Sequence, residues 1–259
     1  MTPVKLRYSL AALLFFSLVF NAEARQFNGR LEWLHKVDMR VLADGVVKKV
    51  FVKVGQLVKK GAILLTMDQR EAQAILLKTK AAVARSKVTL SDAKDELTRA
   101  NELYDRGLIA EEELKDAKIK MAAAQAENEA ALAAQKLAEV ALERTTLRAP
   151  MNGIIVAKNT YDGGVVYKTL QKKPLIALAP SGKMLARLLV SSKTLRHYRA
   201  GQAATVTVFG KKYRGTVYSL GVEPVRIEPS GAVFELDILF HHNPQELMRP
   251  ADLVTVNLP

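Results

Sequence analysis

Between Gln69 and Arg144 the sequence carries two apolar stripes that commit it to a helical hairpin. Leu76, Thr79, Val83, Ser86, Leu90, Ala93, Leu97, Ala100 and Tyr104 follow one another at spacings of three and four. Leu114, Ala117, Met121, Ala124, Asn128, Ala131, Gln135, Ala138 and Leu142 do the same in a second arm. A 3-4 seam sustained over several heptads is the signature of helices that pack knobs into holes. Between the arms lies Asp105-Arg106-Gly107-Leu108-Ile109, where Gly107 suits the left-handed residue that ends a helix. Ala110-Glu111-Glu112-Glu113 then places three acids in the next first turn, where the helix dipole favours them. The reading is two antiparallel helices of about 35 residues, each roughly 50 Å long. Their Ala-rich seam, with Thr79, Ser86, Asn128 and Gln135 in it, packs closely but weakly, which suits a hairpin with further partners. The plainer alternative is a spacer between two β domains. Leu108 and Ile109 are apolar at an exposed turn and are expected to be covered by a partner.

The flanks read as strands. Gly45-Val46-Val47 leads through Val50, Val52 and Val54 to Gly55, Val58, Gly61, Ile63, Leu65 and Asp68. After the helices, Gly153-Ile154-Ile155-Val156 leads to Gly163-Gly164-Val165-Val166 and Leu175-Ile176-Ala177-Leu178. Both stretches run from a Gly into paired β-branched residues, a second Gly turn and a closing apolar strand. The helices are therefore an insertion between two halves of one domain. From about residue 181 several short strands with Gly and Pro turns predict a small β-barrel, with a short helix from Ser192 to Tyr198 capped by Ser191 or Ser192.

Lys5 and Arg7 precede an apolar run from Leu10 to Phe20 and an Ala22-Glu23-Ala24 site, the layout of a secretory signal peptide. Cleavage is expected after Ala24; an uncleaved N-terminal anchor is the alternative. The run is too short for a bilayer span, which takes about 20 residues. With no cysteine in the chain, lipid anchoring, thiolate metal binding and cysteine nucleophiles are excluded. The formal charge of +13 is spread over the chain rather than gathered in a stripe. In an exported protein it points to an anionic membrane surface or an acidic partner, not to nucleic acid.

These residues resemble the periplasmic adaptor subunits, or membrane fusion proteins, of tripartite efflux and secretion systems. The resemblance is carried by the half-motif Gly45 to Asp68, by Thr146-Leu147-Arg148-Ala149-Pro150-Met151-Asn152-Gly153-Ile154, and by Leu247-Met248-Arg249-Pro250. It implies an elongated α+β chain: a split lipoyl-like (barrel-sandwich hybrid) domain with an inserted coiled-coil hairpin, plus a small C-terminal β-barrel. The expected organisation is a signal peptide at 1–24, a linker and barrel strand at 25–40, and a first lipoyl-like half at 41–68. The hairpin follows at 69–144, the second half at 145–180 and the barrel at 181–259. A chain that stops after the barrel is expected to lack a separate membrane-proximal domain.

The resemblance also implies partners: an inner-membrane transporter, expected to be of the resistance-nodulation-division type, an outer-membrane channel, and further copies of the chain in a homo-oligomer. An ABC-type exporter, a type I secretion system and a non-transport envelope scaffold are the alternatives. Adaptors that dock on TolC-like channels carry Arg-x3-Leu-x6-Ser at the hairpin tip. That spacing selects Arg99, Leu103 and Ala110, with Ala110 in place of the hydroxyl residue. The expected docking set is Arg99, Leu103, Gly107, Leu108, Ile109 and Ala110. Ala251-Asp252 likewise departs from the Gly and apolar residue usual after the C-terminal string.

No cofactor is expected. The turn where a lipoyl domain bears its modified lysine is taken up by the helical insertion. His35, His197, His241 and His242 form no metal-ligand spacing, and the adjacent pair would point to opposite faces of a strand. No G-x-S-x-G string or phosphate-binding glycine loop is present, so an enzyme is not expected.

Overall fold

A computed structural model describes residues 25–170 and 172–259. The signal-peptide expectation lies outside the described residues. The chain divides into two compact units, one holding 32–185 with 241–250, the other holding the described residues up to Leu31 with 186–240 and 251–259.

In the first of these units, elements numbered in chain order form two four-stranded sheets. One runs β2 (Val37–Met39), β9 (Ile176–Pro180), β7 (Gly153–Lys158), β4 (Leu57–Val58). The other runs β6 (Thr146–Arg148), β5 (Ile63–Met67), β3 (Gly45–Val50), β8 (Val165–Val166). Each sheet draws strands from both halves of the sequence, so neither half can close a core alone. The exchange is symmetric at the backbone. The amide of Gly55 donates to Ile155 O at 2.8 Å and that of Ile155 to Gln56 O at 3.0 Å, while the amide of Gly163 donates to Val47 O and that of Val47 to Gly164 O, both at 2.8 Å. Alternation puts Val47, Leu65, Met67, Ile155, Ile176 and Leu178 into one core with Met39, Val52 and Leu64. Burying each such side chain contributes about 1.5–3 kcal/mol. Gly153 admits no side chain, because a Cβ there would lie 2.4 Å from the Ala179 carbonyl oxygen.

The helices leave this sandwich where two neighbouring strands would otherwise be joined by a turn. β5 and β6 pair antiparallel, Thr66 with Thr146 and Leu65 with Leu147. Between them run α1 (Arg70–Asp105) and α2 (Glu111–Glu143). At the base, the Gln69 side-chain Nε2 donates to the hydroxyls of Thr145 and Thr146, both at 2.8 Å, tying the entry of α1 to the exit of α2. The seam is the one the spacing predicts: Ser86, Ala93, Leu114, Ala117, Ala124 and Ala138 are buried. The Ser86 hydroxyl lies 3.2 Å from Asn128 Oδ1 across it.

In the other unit, β10 (Lys183–Ser191), β1 (Arg25–Trp33), β15 (Leu253–Leu258), β11 (Ala203–Val208), β12 (Lys211–Leu220) and β14 (Gly231–His241) follow one another, and β10 pairs with β14 to close a six-stranded barrel. β13 (Arg226–Glu228) is added at the outer side of β14. Leu31, Leu188, Val206, Leu236, Ile238, Phe240 and Val256 fill the interior. Asp237, almost fully buried, is held by the Arg187 guanidinium at 2.8 and 3.1 Å and by the Ser219 hydroxyl at 3.1 Å. The helix after β10 is shorter than the sequence predicts: α3 covers Ser192–Leu195, with Ser191 as its cap.

Two stretches divide differently from the sequence reading. The stretch 25–40, read as linker and barrel strand, splits: Arg25–Trp33 joins the barrel, whereas Val37–Met39 pairs with β9 in the sandwich. The stretch 181–259 is also interrupted, since 241–250 belongs with the sandwich unit. The physical reason is an apolar seat. Leu247 and Met248 lie with Trp33, Leu57 and Ile154, and the His242 amide donates to Gly182 O at 3.1 Å.

Candidate docking site at the hairpin tip

α1 ends in a Schellman motif built by Gly107. Its φ of 71° lets the Gly107 amide donate to Tyr104 O at 2.8 Å and the Leu108 amide to Leu103 O at 2.9 Å. The motif reverses the chain in a few residues and leaves Leu108 65% exposed. Ala110 is the N-cap of α2, with the extended φ and ψ (−77°, 155°) of a capping residue but no side chain able to cap. Glu111, Glu112 and Glu113 occupy the first turn.

Arg99 and Leu103, one helical turn apart on α1, line a shallow groove together with Ile109. Gly107 and Leu108 form the turn beyond it, and Ala110 sets the start of α2. The structure therefore brings Arg99, Leu103 and Ile109 together on one face, whereas Ala110 is not among the groove residues. The groove also contains residues that the sequence reading left out of the docking set: Glu96, Ala100, Glu113, Asp116, Ala117 and Lys120. Lys120 reaches across the hairpin to Glu96 at 2.9 Å, and that hydrogen bond raises the lysine pKa. Arg99 thus faces a neighbourhood with three carboxylates, one of them engaged by Lys120. Finding these residues from sequence requires the register between the helices, which Gly107 fixes. An apolar turn above a groove of mixed charge can receive another protein's helices; it places no nucleophile beside a base.

His197 and His242 are not among the groove residues. His197 Nδ1 lies 2.8 Å from Lys193 O, and His242 Nδ1 lies 2.9 Å from Asn243 O. Burial pushes the His242 pKa down, against a weaker upward pull from the Asn243 backbone. Among the described residues no group of three or more metal-ligating side chains is gathered, and no helix is long and apolar enough to cross a membrane.

Comparison with known proteins places this geometry. The chain is 31% identical over 188 residues to the uncharacterised protein YdhJ of Escherichia coli K12, covering 72% of this chain and 65% of that one. It is 26% identical over 266 residues to the macrolide export protein MacA of Yersinia pestis, covering 96% and 70%. The chain thus spans about two thirds of the length of these curated relatives. The solved membrane fusion protein Spr0693 of Streptococcus pneumoniae superposes with a TM-score of 0.71 at 17% identity, over 91% of this chain and 99% of that one, which shows a shared fold. The family model for a CzcB-like barrel-sandwich hybrid domain matches residues 36–172, which take in the first half, the whole hairpin and most of the second half. With more than half of its length inside that match, and with the interleaved half-sheets the match implies, the chain belongs to the CzcB-like barrel-sandwich hybrid family and has the fold of membrane fusion proteins.

Proposed function

We propose that this chain is a periplasmic adaptor that bridges an inner-membrane transporter and an outer-membrane channel for the export of small molecules. The observation that carries the proposal is the hairpin: a seam-packed pair of long helices, rooted in the sandwich between β5 and β6, ends in an apolar turn with Leu108 exposed. The 26% identity to macrolide export proteins along nearly the whole chain supports export as the task. The role is mechanical and not enzymatic. Copies of the chain align their hairpins into a sleeve, the tip residues Arg99, Leu103, Gly107, Leu108, Ile109 and Ala110 meet the channel's helices, and the barrel couples the sleeve to the transporter.

The signal-peptide pattern supports a periplasmic location. A resistance-nodulation-division pump is the transporter we favour from sequence; an ABC-type exporter is the second reading, since relatives named for macrolide export fit it equally well. The test is export by cells carrying Arg99→Asp with Leu103→Ser. Arg99 is exposed and Leu103 only half-buried at the last turn of α1, so the double variant folds and export is lost. Wild-type export by the folded variant refutes docking at this tip.

A further inference from the structure

The barrel has an end whose chemistry the adaptor role does not use. β1 enters there at Arg25, paired with Leu258, and the edge-on contact of Phe27 with Tyr198 (ring centroids 6.0 Å apart) packs the segment after α3 against the same end. The connection from β12 to β14 also leaves there, since Leu220 pairs with Leu236 and the Val217 amide donates to Gln202 O. Beyond that last pair, the chain projects a tip in which Val222 is 94% exposed, Ile227 81% and Val225 53%. Single exposed apolar residues are ordinary, but three β-branched ones within six residues at one tip are not.

The tip itself carries Glu223, Arg226 and Glu228, and the neighbouring segments at this end of the barrel are cationic. Arg25, Lys193, Arg196 and Arg199 are all exposed at this end. Arg226, inside the tip, pairs with Glu228 at 2.7 Å, and Glu223 is the opposing charge. Apolar side chains at a tip with a basic rim match the interface of an anionic bilayer, in which the apolar groups enter the headgroup layer and the cations meet the phosphates.

We propose that the end of the barrel carrying Arg25 rests on an anionic lipid surface, with Val222, Val225 and Ile227 inserted among the headgroups. Each basic residue held near such a surface strengthens binding by about fivefold. The inference goes beyond the adaptor reading and requires no transporter or channel.

The chain has no cysteine, so Val222→Cys and Ile227→Cys in the full chain accept a single environment-sensitive fluorophore. Phe209→Cys, at the exposed turn between β11 and β12 on the other end of the barrel, is the control. With vesicles of mixed phosphatidylglycerol and phosphatidylcholine, labels at 222 and 227 shift to the blue and are quenched by lipid-borne quenchers, while the label at 209 is unmoved. Lys193→Glu with Arg196→Glu and Arg199→Glu weakens vesicle binding by at least about a hundredfold. The proposal is overturned if the labels at 222 and 227 stay in water while the protein is vesicle-bound. It is also overturned if pure phosphatidylcholine serves equally, or if the labels respond only when a transporter is added, which assigns the tip to a protein partner. Because the readout involves no export, its failure leaves the adaptor reading standing.

Discussion

Ala110→Ser isolates what the tip lacks. Ala110 already has the backbone conformation of an N-cap, and no side chain accepts the first amides of α2; the Glu113 amide makes only a 3.1 Å bond to the Ala110 carbonyl. A serine hydroxyl at this position accepts from the amide of Glu112 or Glu113. Glu113, three residues on, is placed to reach back to the amide of residue 110 and complete a capping box. Such a cap contributes about 1 kcal/mol, within a range of roughly 0.5–2. The three glutamates already serve the helix dipole, so the gain comes from the hydrogen bond alone. The assay is hydrogen exchange at the amides of Glu112 and Glu113. At about 1 kcal/mol, local opening and exchange slow roughly fivefold, with amides in the middle of α2 unchanged. An exchange rate within twofold of wild type refutes the capping argument, as does equal protection in Ala110→Val, whose side chain cannot accept a hydrogen bond.

Further perturbations test the sandwich. Gly153→Ala drives a methyl group against the Ala179 carbonyl and the Leu178 side chain, so β7 and β9 must separate. A loss of at least about 2 kcal/mol in urea unfolding is expected, and an unchanged midpoint contradicts it. His242, whose folded pKa lies below its ordinary value, makes the unfolded chain the better proton acceptor as pH falls through about 6.5. Stability of the sandwich unit is therefore full above that pH, falls below it, and levels off once the folded imidazole is also protonated. His242→Gln should flatten this part of the profile between pH 7.5 and 5.5, and an unaltered slope would assign it to other groups.

Local periodicity made the hairpin legible. Every seam residue named from the 3-4 spacing is buried or half-buried except Tyr104, which sits in the last turn of α1 and is 40% exposed. Gly107 was equally readable, because few residues other than Gly adopt its φ cheaply. The misplaced segments have no such local signal. Val37–Met39 is three residues long, too short to show alternation, and becomes a strand only because β9 offers an edge. The return of 241–250 to the sandwich depends on where Trp33 and Leu57 end up in space. At the tip, the motif spacing located Arg99 and Leu103. The acidic lining from Glu96, Glu113 and Asp116 comes from both helices, so it emerges only when their register is known.

The central claim is that the hairpin tip meets an outer-membrane channel. Since the chain has no native cysteine, Leu108→Cys provides a unique crosslinking site at the most exposed apolar residue of the turn. In cells that express the chain with its export system, the account predicts a crosslink from this position to the channel, absent from Val88→Cys on the exposed flank of α1. A crosslink from position 88 but not 108, or from 108 only to the inner-membrane transporter, would contradict it.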